Sequence, residues 1–304
     1  MERSHGGLTV PGRYDGSGGF HANVPRSPAG SRGLRPPLTR VGSVTSAWDP
    51  ATYLRFAGER ARPFVDLLAR VGSENPRTVV DLGCGEGALT ASLAQRWPKA
   101  RVTGIDSSDT MLAAASAHAV PGRVDFALGD VQNWQPDGPV DVLVSNAVLH
   151  WVPGHDRAIA NWTSYLAPGG WLAVQVPGNF RAPTHTLLGD LCRSPRWADQ
   201  VGDVPPGVDS VLEPAGYYDV LAAGGVVADV WETTYVHVLR GDDPVLNWVR
   251  STQLRPVLAR LGADDAAEFT AGYAAALRTA YPMRPDGTTL LPFRRIFAVG
   301  SRPA

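Results

Sequence analysis

From about Trp48 onward, apolar positions recur in two rhythms, one of strands and one of helices. RTVVDL (77–82) is a short, valine-rich run ended by glycines, and it predicts a buried parallel strand. Further strands are predicted at RVTGID (101–106), RVDFALG (123–129), VDVLVSN (140–146) and GWLAVQV (170–176). Between them, 87–97, 108–118 and 155–166 carry helical spacing, the last stopped by Pro168-Gly169-Gly170. Upstream, 49–70 sets Tyr53, Phe56, Phe64, Leu67 and Leu68 at helical intervals, with Pro63 opening a second helix. Strands alternating with helices predict an α/β fold, a parallel sheet covered on both faces. After 183 the pattern turns helical, broken by strands at 230–239 and 292–301. The last opens on Pro292 and suits an edge or antiparallel position.

Residues 1–45 follow neither rhythm. Rich in Gly, Pro, Ser and Arg, they bury too little apolar surface to offset chain entropy and are expected to be disordered. The 304 residues are 44% hydrophobic and 19% charged, which is enough for a sizeable core. No apolar run is long enough to cross a membrane and no secretory pattern opens the chain, so a cytoplasmic protein is expected. A monomer is expected, with a dimer as the alternative.

A net charge of −1 argues against nucleic acid as a partner. Its distribution is uneven: +4 over 1–45, −8 over 46–239 and +3 over 240–302. A small anion would therefore find its cations mostly in the last third, and Lys99 is the sole lysine, so arginine must supply them. Cys84 and Cys192 form no disulfide framework, and the seven histidines lack metal-site spacing, so no metal is expected.

The chemistry concentrates at Asp81-Leu82-Gly83-Cys84-Gly85-Glu86-Gly87, between a strand and a helix. Glycines there allow a sharp turn and close backbone approach to a ligand, and a helix N-terminus follows. Asp106 ends the next strand, where a carboxylate can accept both ribose hydroxyls. Gly83, Gly85 and Ala88 also satisfy the G-x-G-x-x-A form of a dinucleotide site, so the loop alone does not discriminate. Three features do. The Asp81 carboxylate suits a cationic amino-acid moiety better than a pyrophosphate, Asp130 and Val131 after the third strand can read an adenine edge, and Asn146 ends the fourth.

Taken together, residues 46–178 resemble the class I S-adenosylmethionine-dependent methyltransferases. The resemblance implies a Rossmann-like sheet, mostly parallel with an antiparallel final strand, plus helical cap insertions. With the composition of 1–45 and the helical pattern after 183, the chain is expected to comprise a 1–45 tail and one domain over 46–304, with 46–178 as cofactor-binding core and 183–222 and 241–281 as caps. It further implies S-adenosylmethionine as methyl donor, its methionine end at Gly83, Gly85 and Asp81, its ribose on Asp106 and its adenine at Asp130 and Val131. Asn146 would line the methyl side and Tyr53 would cover the ligand.

A closer similarity, to the trans-aconitate 2-methyltransferases, covers nearly all of 46–304. It is carried by WDPATYLRFAGERARPF, NAVLHWVPGH, AVQVPGNFRAPTH, WVRSTQLRP and PFRRIFAVGSR among other stretches. That resemblance implies methylation of one carboxylate of a small tricarboxylate. A carboxylate, with a pKa near ~4, is already a nucleophile at neutral pH and needs no general base. No catalytic residue is therefore expected, only alignment. The remaining carboxylates call for arginine forks, and Arg255, Arg294 and Arg295 are the candidates. Adjacent strand residues face opposite sides, so at most one of the last two enters the site; Arg294 is taken. His150, Trp151, His185, Tyr217, Tyr218 and Tyr235 are candidates for the wall. An acceptor hydroxyl or carbon would instead want a base, which His150 or His185 could supply. A non-catalytic protein that binds the donor is the alternative from another class.

Overall fold

The computed structural model describes residues 61–202, 211–250 and 252–304. Tyr53 and the 1–45 tail lie outside the described residues.

Seven strands form one sheet: β1 (Thr78–Leu82), β2 (Arg101–Asp106), β3 (Val124–Leu128), β4 (Val140–Asn146), β5 (Leu166–Pro177), β6 (Val227–Arg240) and β7 (Thr288–Ser301). Their order is β3-β2-β1-β4-β5-β7-β6. Pairs among β1 to β5 are parallel, and β7 runs antiparallel to both β5 and β6. The predicted antiparallel final strand is present, but it is interior; β6 forms the edge. Pro292 sits inside β7, which already begins at Thr288. Before Arg295, β7 pairs with β6 alone, which leaves one side of the strand without a ladder to interrupt.

The helices follow from the sequence pattern. α1 (Arg62–Leu68) opens on Pro63 and buries Phe64, Leu67 and Leu68. α2 (Ala88–Arg96) leaves the glycine loop, and α3 (Asp109–Ala115) is capped by Ser108, whose Oγ accepts from the Met111 N–H at 3.3 Å. α4 (His155–Tyr165) buries Ala158, Ile159 and Trp162 on one stripe. Along the central strands, alternate residues serve opposite layers. Val79, Val142, Val144, Ala173, Phe297 and Val299 join α1 and α2, while Val80, Leu82, Leu143, Leu172, Val174, Ile296 and Ala298 join α4.

After β5 come α5 (Pro183–Cys192), α6 (Ala198–Val201) and α7 (Pro214–Ala223); after β6 come α8 (Pro244–Arg250), α9 (Arg255–Leu258) and α10 (Ala263–Ala280). Five of these six build a third apolar cluster, with Leu188, Trp197, Val249, Val257, Phe269, Tyr273 and Leu277 at its centre. α7 is the exception to the expected 183–222 cap. Its Tyr217 and Leu221 pack into the α4 layer of the sheet, so it is a sheet-covering helix. Among the described residues no helix is long and apolar enough to cross a membrane.

Candidate active site

The chain runs outward through β1, β2 and β3, then returns to the other side of β1 as β4. Loops leaving β1 and β4 therefore diverge and open a crevice at the strand tips. Gly83 and Gly85 sit there with φ of +81° and +56°. A Cβ on Gly83 would drive into Val148, whereas one on Gly85 would meet nothing within 4 Å. The first glycine is thus required by protein packing, and the second leaves open space beside the loop.

Three acids surround this loop, each in a different state. Asp81 is buried and accepts from the Thr90 hydroxyl at 2.6 Å. Burial pushes its carboxyl up to about 6, against the Thr90 hydrogen bond, and nearby Asp106 adds to the rise. Asp106 accepts backbone N–H groups from Gly85 (2.8 Å) and Ser108 (2.9 Å), one on each oxygen, which fixes the loop to the tip of β2. A carboxylate retains further lone pairs beyond these two bonds. Asp130 is exposed and closes its own turn through the Gln132 N–H (2.9 Å) and the Asn133 amide (2.8 Å). Gly83, Asp106, Asp130 and buried Val131 line one cavity of about 230 Å³, closed on the far side by Val148, Trp151 and Val152.

At the tip of β4 the chain reverses sharply. Ala147 adopts a left-handed φ of 58°, uncommon for a residue with a Cβ, and its N–H donates to the Gln175 carbonyl at 2.8 Å. The reversal delivers the short 3₁₀ turn Leu149–Trp151 across the strand tips. Leu149 goes into the core, His150 is half-buried in the wall of a second cavity, and Trp151 is 53% exposed. Beside the turn, Asn146 ends β4 with a buried Oδ1 that has no hydrogen-bond partner among the described residues. Asn179 Oδ1 and His150 Nδ1 share that condition. Buried polar atoms are seldom left so, and a cluster of them at strand tips marks a place built to meet something other than the protein.

A second cavity, of about 250 Å³, lies between the tips of β4, β5 and β7 and the cap. Trp151 lines both cavities. The second is walled by His150, Asn179, Phe180, His185, Trp248, Phe293 and Arg295. Arg295 is buried; its Nη1 donates to Gln175 Oε1 at 3.3 Å, and its guanidinium lies over the Phe293 ring at 4.7 Å. Burial pushes the His150 imidazole down to about 3, reinforced by Arg295, and burial pushes His185 down to about 4. The start of α5, which carries His185, is clasped by the cap. The Thr184 carbonyl accepts from Gln253 Nε2 (2.7 Å) and the Tyr273 hydroxyl, and the Thr184 N–H donates to the Tyr281 hydroxyl (3.3 Å).

Several residues singled out in the sequence lie elsewhere. Arg294 points to the opposite face of β7 from Arg295 and pairs with Glu213 (2.6 Å) and Glu232, away from the cavity. Arg255 is exposed at the start of α9; the same segment reaches the cavity through Thr252 and Gln253 instead. Tyr218 is 52% exposed on the outer side of α7, and its neighbour Tyr217 is in the core, bonded to His155 Nε2 at 3.0 Å. Tyr235 is buried against α1 and donates its hydroxyl to Asp66. His150, Trp151 and His185 do come together. Asn179, Phe180, Trp248, Gln253 and Phe293 also line the cavity; each lies in a stretch that carries the family resemblance, but nothing in residue type or spacing marks it individually.

Residues 79–170 match the family described as a methyltransferase domain. The trans-aconitate 2-methyltransferase of Streptomyces avermitilis is 54% identical over 268 residues, covering 86% of this chain and 99% of that protein. The protein of that name from Mycobacterium tuberculosis is 47% identical over 253 residues, covering 83% and 95%. The chain belongs to the trans-aconitate 2-methyltransferase family. As a member it is an S-adenosylmethionine-dependent methyltransferase. Among solved structures, the YcgJ protein of Bacillus subtilis aligns with a TM-score of 0.51 at 14% identity, over 79% of this chain and 97% of that one. At such low identity it speaks for the fold alone.

Proposed function

We propose that the chain methylates one carboxylate of trans-aconitate, a small anionic acceptor, to give a monomethyl ester. The observation that carries this reading is a buried arginine, Arg295, in a cavity that shares the Trp151 wall with the glycine-loop crevice. Family relatives bear that acceptor in their names.

The glycine-loop crevice fits the donor. Gly85 leaves space that a Cβ would occupy, Asp81 offers a carboxylate to an ammonium, Asp106 has acceptor capacity for ribose, and Asn146 Oδ1 awaits a donor. Asp130 and Val131 line the opposite end, where an adenine would lie. When bound, S-adenosylmethionine supplies a methyl group on a positively charged sulfur.

The residues of this chain then have three tasks. Arg295 holds a carboxylate of the acceptor through its planar fork and so fixes which oxygen faces the Trp151 wall. Trp151, Phe180, Trp248 and Phe293 exclude water around it. His150 and His185 are held neutral at physiological pH, and groups titrating near 3 and 4 are poor proton acceptors there. A site without an effective base favours an acceptor that is already an anion, which separates a carboxylate from a hydroxyl or carbon. Incubation with methyl-labelled S-adenosylmethionine and trans-aconitate, followed by mass analysis, tests the reading. A labelled monomethyl ester is the expected product, and turnover of a phenol but of no polycarboxylate would overturn it.

A further inference from the structure

The acceptor cavity has an imbalance of charge. Among the described residues, Arg295 is the one arginine on its walls, and none of its lining residues is acidic or lysine. A tricarboxylate with one carboxylate directed to the methyl group and one on Arg295 leaves a third negative charge inside an apolar enclosure. Burying an unpaired charge is costly, and proteins avoid it by pairing or by changing protonation. Arg255 and Arg294 face elsewhere and supply no pairing.

We propose that His185 is a specificity-determining residue for the acceptor, taking up a proton from solvent as a polycarboxylate binds and pairing as imidazolium with the carboxylate that Arg295 does not hold. This rests on the acceptor reading above and goes a step further, since it assigns the second cation of the site to a residue that is uncharged without the acceptor. The step is an acid–base equilibrium only: the imidazole nitrogen gains one proton, and no other bond is made or broken.

Three observations select His185 over its neighbours. It lines the cavity at the start of α5, where the cap clasp on Thr184 fixes the backbone and the Thr184 hydroxyl lies 3.2 Å from Nδ1. Its ring rests edge-on against Phe180, with centroids 5.0 Å apart, so its orientation is set by packing. The other histidine, His150, stands close enough to Arg295 for that positive charge to oppose its protonation, whereas burial alone depresses His185 and the Asn179 backbone counters it. The titratable groups around His185 are His150 from the turn after β4, Arg295 from β7, and Tyr273 and Tyr281 behind Thr184; no carboxylate competes for its proton among the cavity walls. An incoming carboxylate is therefore the group that tips the equilibrium, by the attraction of opposite charges in a poorly hydrated space.

Proton linkage gives a readout that a purely structural histidine would not move. Trans-aconitate is titrated calorimetrically into the full-length protein with S-adenosylhomocysteine present, at pH 7.5, in buffers of differing ionisation enthalpy. The expected result is uptake of close to ~1 proton per site by the wild type and near ~0 by His185→Gln. The variant should also lose roughly tenfold or more in acceptor affinity, a typical cost for removing one charged hydrogen-bonding partner. Undiminished S-adenosylhomocysteine affinity in His185→Gln shows that the variant is folded, and His185→Asn serves as the second variant if it is not. Ester formation without proton uptake overturns this inference and leaves the acceptor reading intact. Uptake that persists in both variants overturns the assignment to His185. Absence of trans-aconitate binding and of ester in the wild type overturns both.

Discussion

Arg294 and Arg295 are neighbours in sequence and opposites in position, so replacing each by methionine separates site from surface. Methionine keeps most of the aliphatic stem and removes the charge. At position 295 the loss is the fork that holds an acceptor carboxylate. Hydrogen bonds to charged groups contribute about 1.5–3 kcal/mol each, and a two-point contact in a buried setting lies at or above the top of that range. Taking about 3 kcal/mol, at 1.4 kcal/mol per tenfold, kcat/KM for the acceptor should fall by roughly 100-fold or more. The affinity for S-adenosylhomocysteine should be unchanged, because Arg295 lines the second cavity and not the glycine-loop crevice. Arg294→Met removes a half-exposed double ion pair with Glu213 and Glu232, worth about 1 kcal/mol after solvent screening, and should leave acceptor kinetics within about twofold. Removing the buried charge offsets in part the loss of the hydrogen bond to buried Gln175, so Arg295→Met should stay folded and unfold within about 5 °C of the wild type. Steady-state kinetics against trans-aconitate, beside a thermal scan, decide the matter. Equal losses at the two positions, or a loss under threefold at 295, would refute the placement of the acceptor.

Three further outcomes are expected. Asp81 titrates near 6 in the folded chain against an ordinary 3.8, so the fold favours its protonated form; that contribution is full below pH 4 and lost as pH rises through about 6. A donor ammonium favours the ionised form instead, so S-adenosylhomocysteine affinity should climb from pH 5 to 6.5 and then level, and Asp81→Asn should flatten the climb. Gly83→Ala forces a Cβ into Val148 and should cost upward of ~2 kcal/mol in denaturant unfolding, whereas Gly85→Ala should cost only the about 1–2 kcal/mol of a left-handed alanine while weakening donor binding; the reverse order would contradict the loop geometry. Tyr217→Phe strips His155 Nε2 of its buried partner and should lower the melting temperature by about 2–4 °C with kcat/KM unaltered, since the pair lies in the α4 layer.

Strands β1 to β4 were legible because each is a short apolar run that ends where glycine or a polar residue begins, whereas β5 starts at Leu166 and runs through the expected Pro168-Gly169-Gly170 stop. β6 and β7 extend beyond their predicted limits, to 227–240 and 288–301, because an antiparallel pair tolerates threonine and proline in positions that a central parallel strand does not. The parity of β7 was not legible. Ile296 and Ala298 are buried on one face and Phe297 and Val299 on the other, so alternation gives no inward side and cannot say which arginine enters the cavity. Tyr217 and Tyr218 posed the same difficulty on a short helix with almost no apolar asymmetry. His150, Trp151 and His185 were named as wall candidates from residue type, and they meet because of a left-handed alanine after β4 and a clasp on Thr184. Arg255 misled because the cap is closed by the amide two residues earlier, and an amide in a loop gives no sign of what it will bind.

The cap helices bury an apolar cluster of their own, with no buried residue in common with the two layers of the sheet. Val249 and Leu291 of that cluster line the second cavity, whereas none of its residues lines the glycine-loop crevice, so substitutions inside it act on one cavity alone. The two apolar frames are thus separable: a change in one need not be matched by a change in the other.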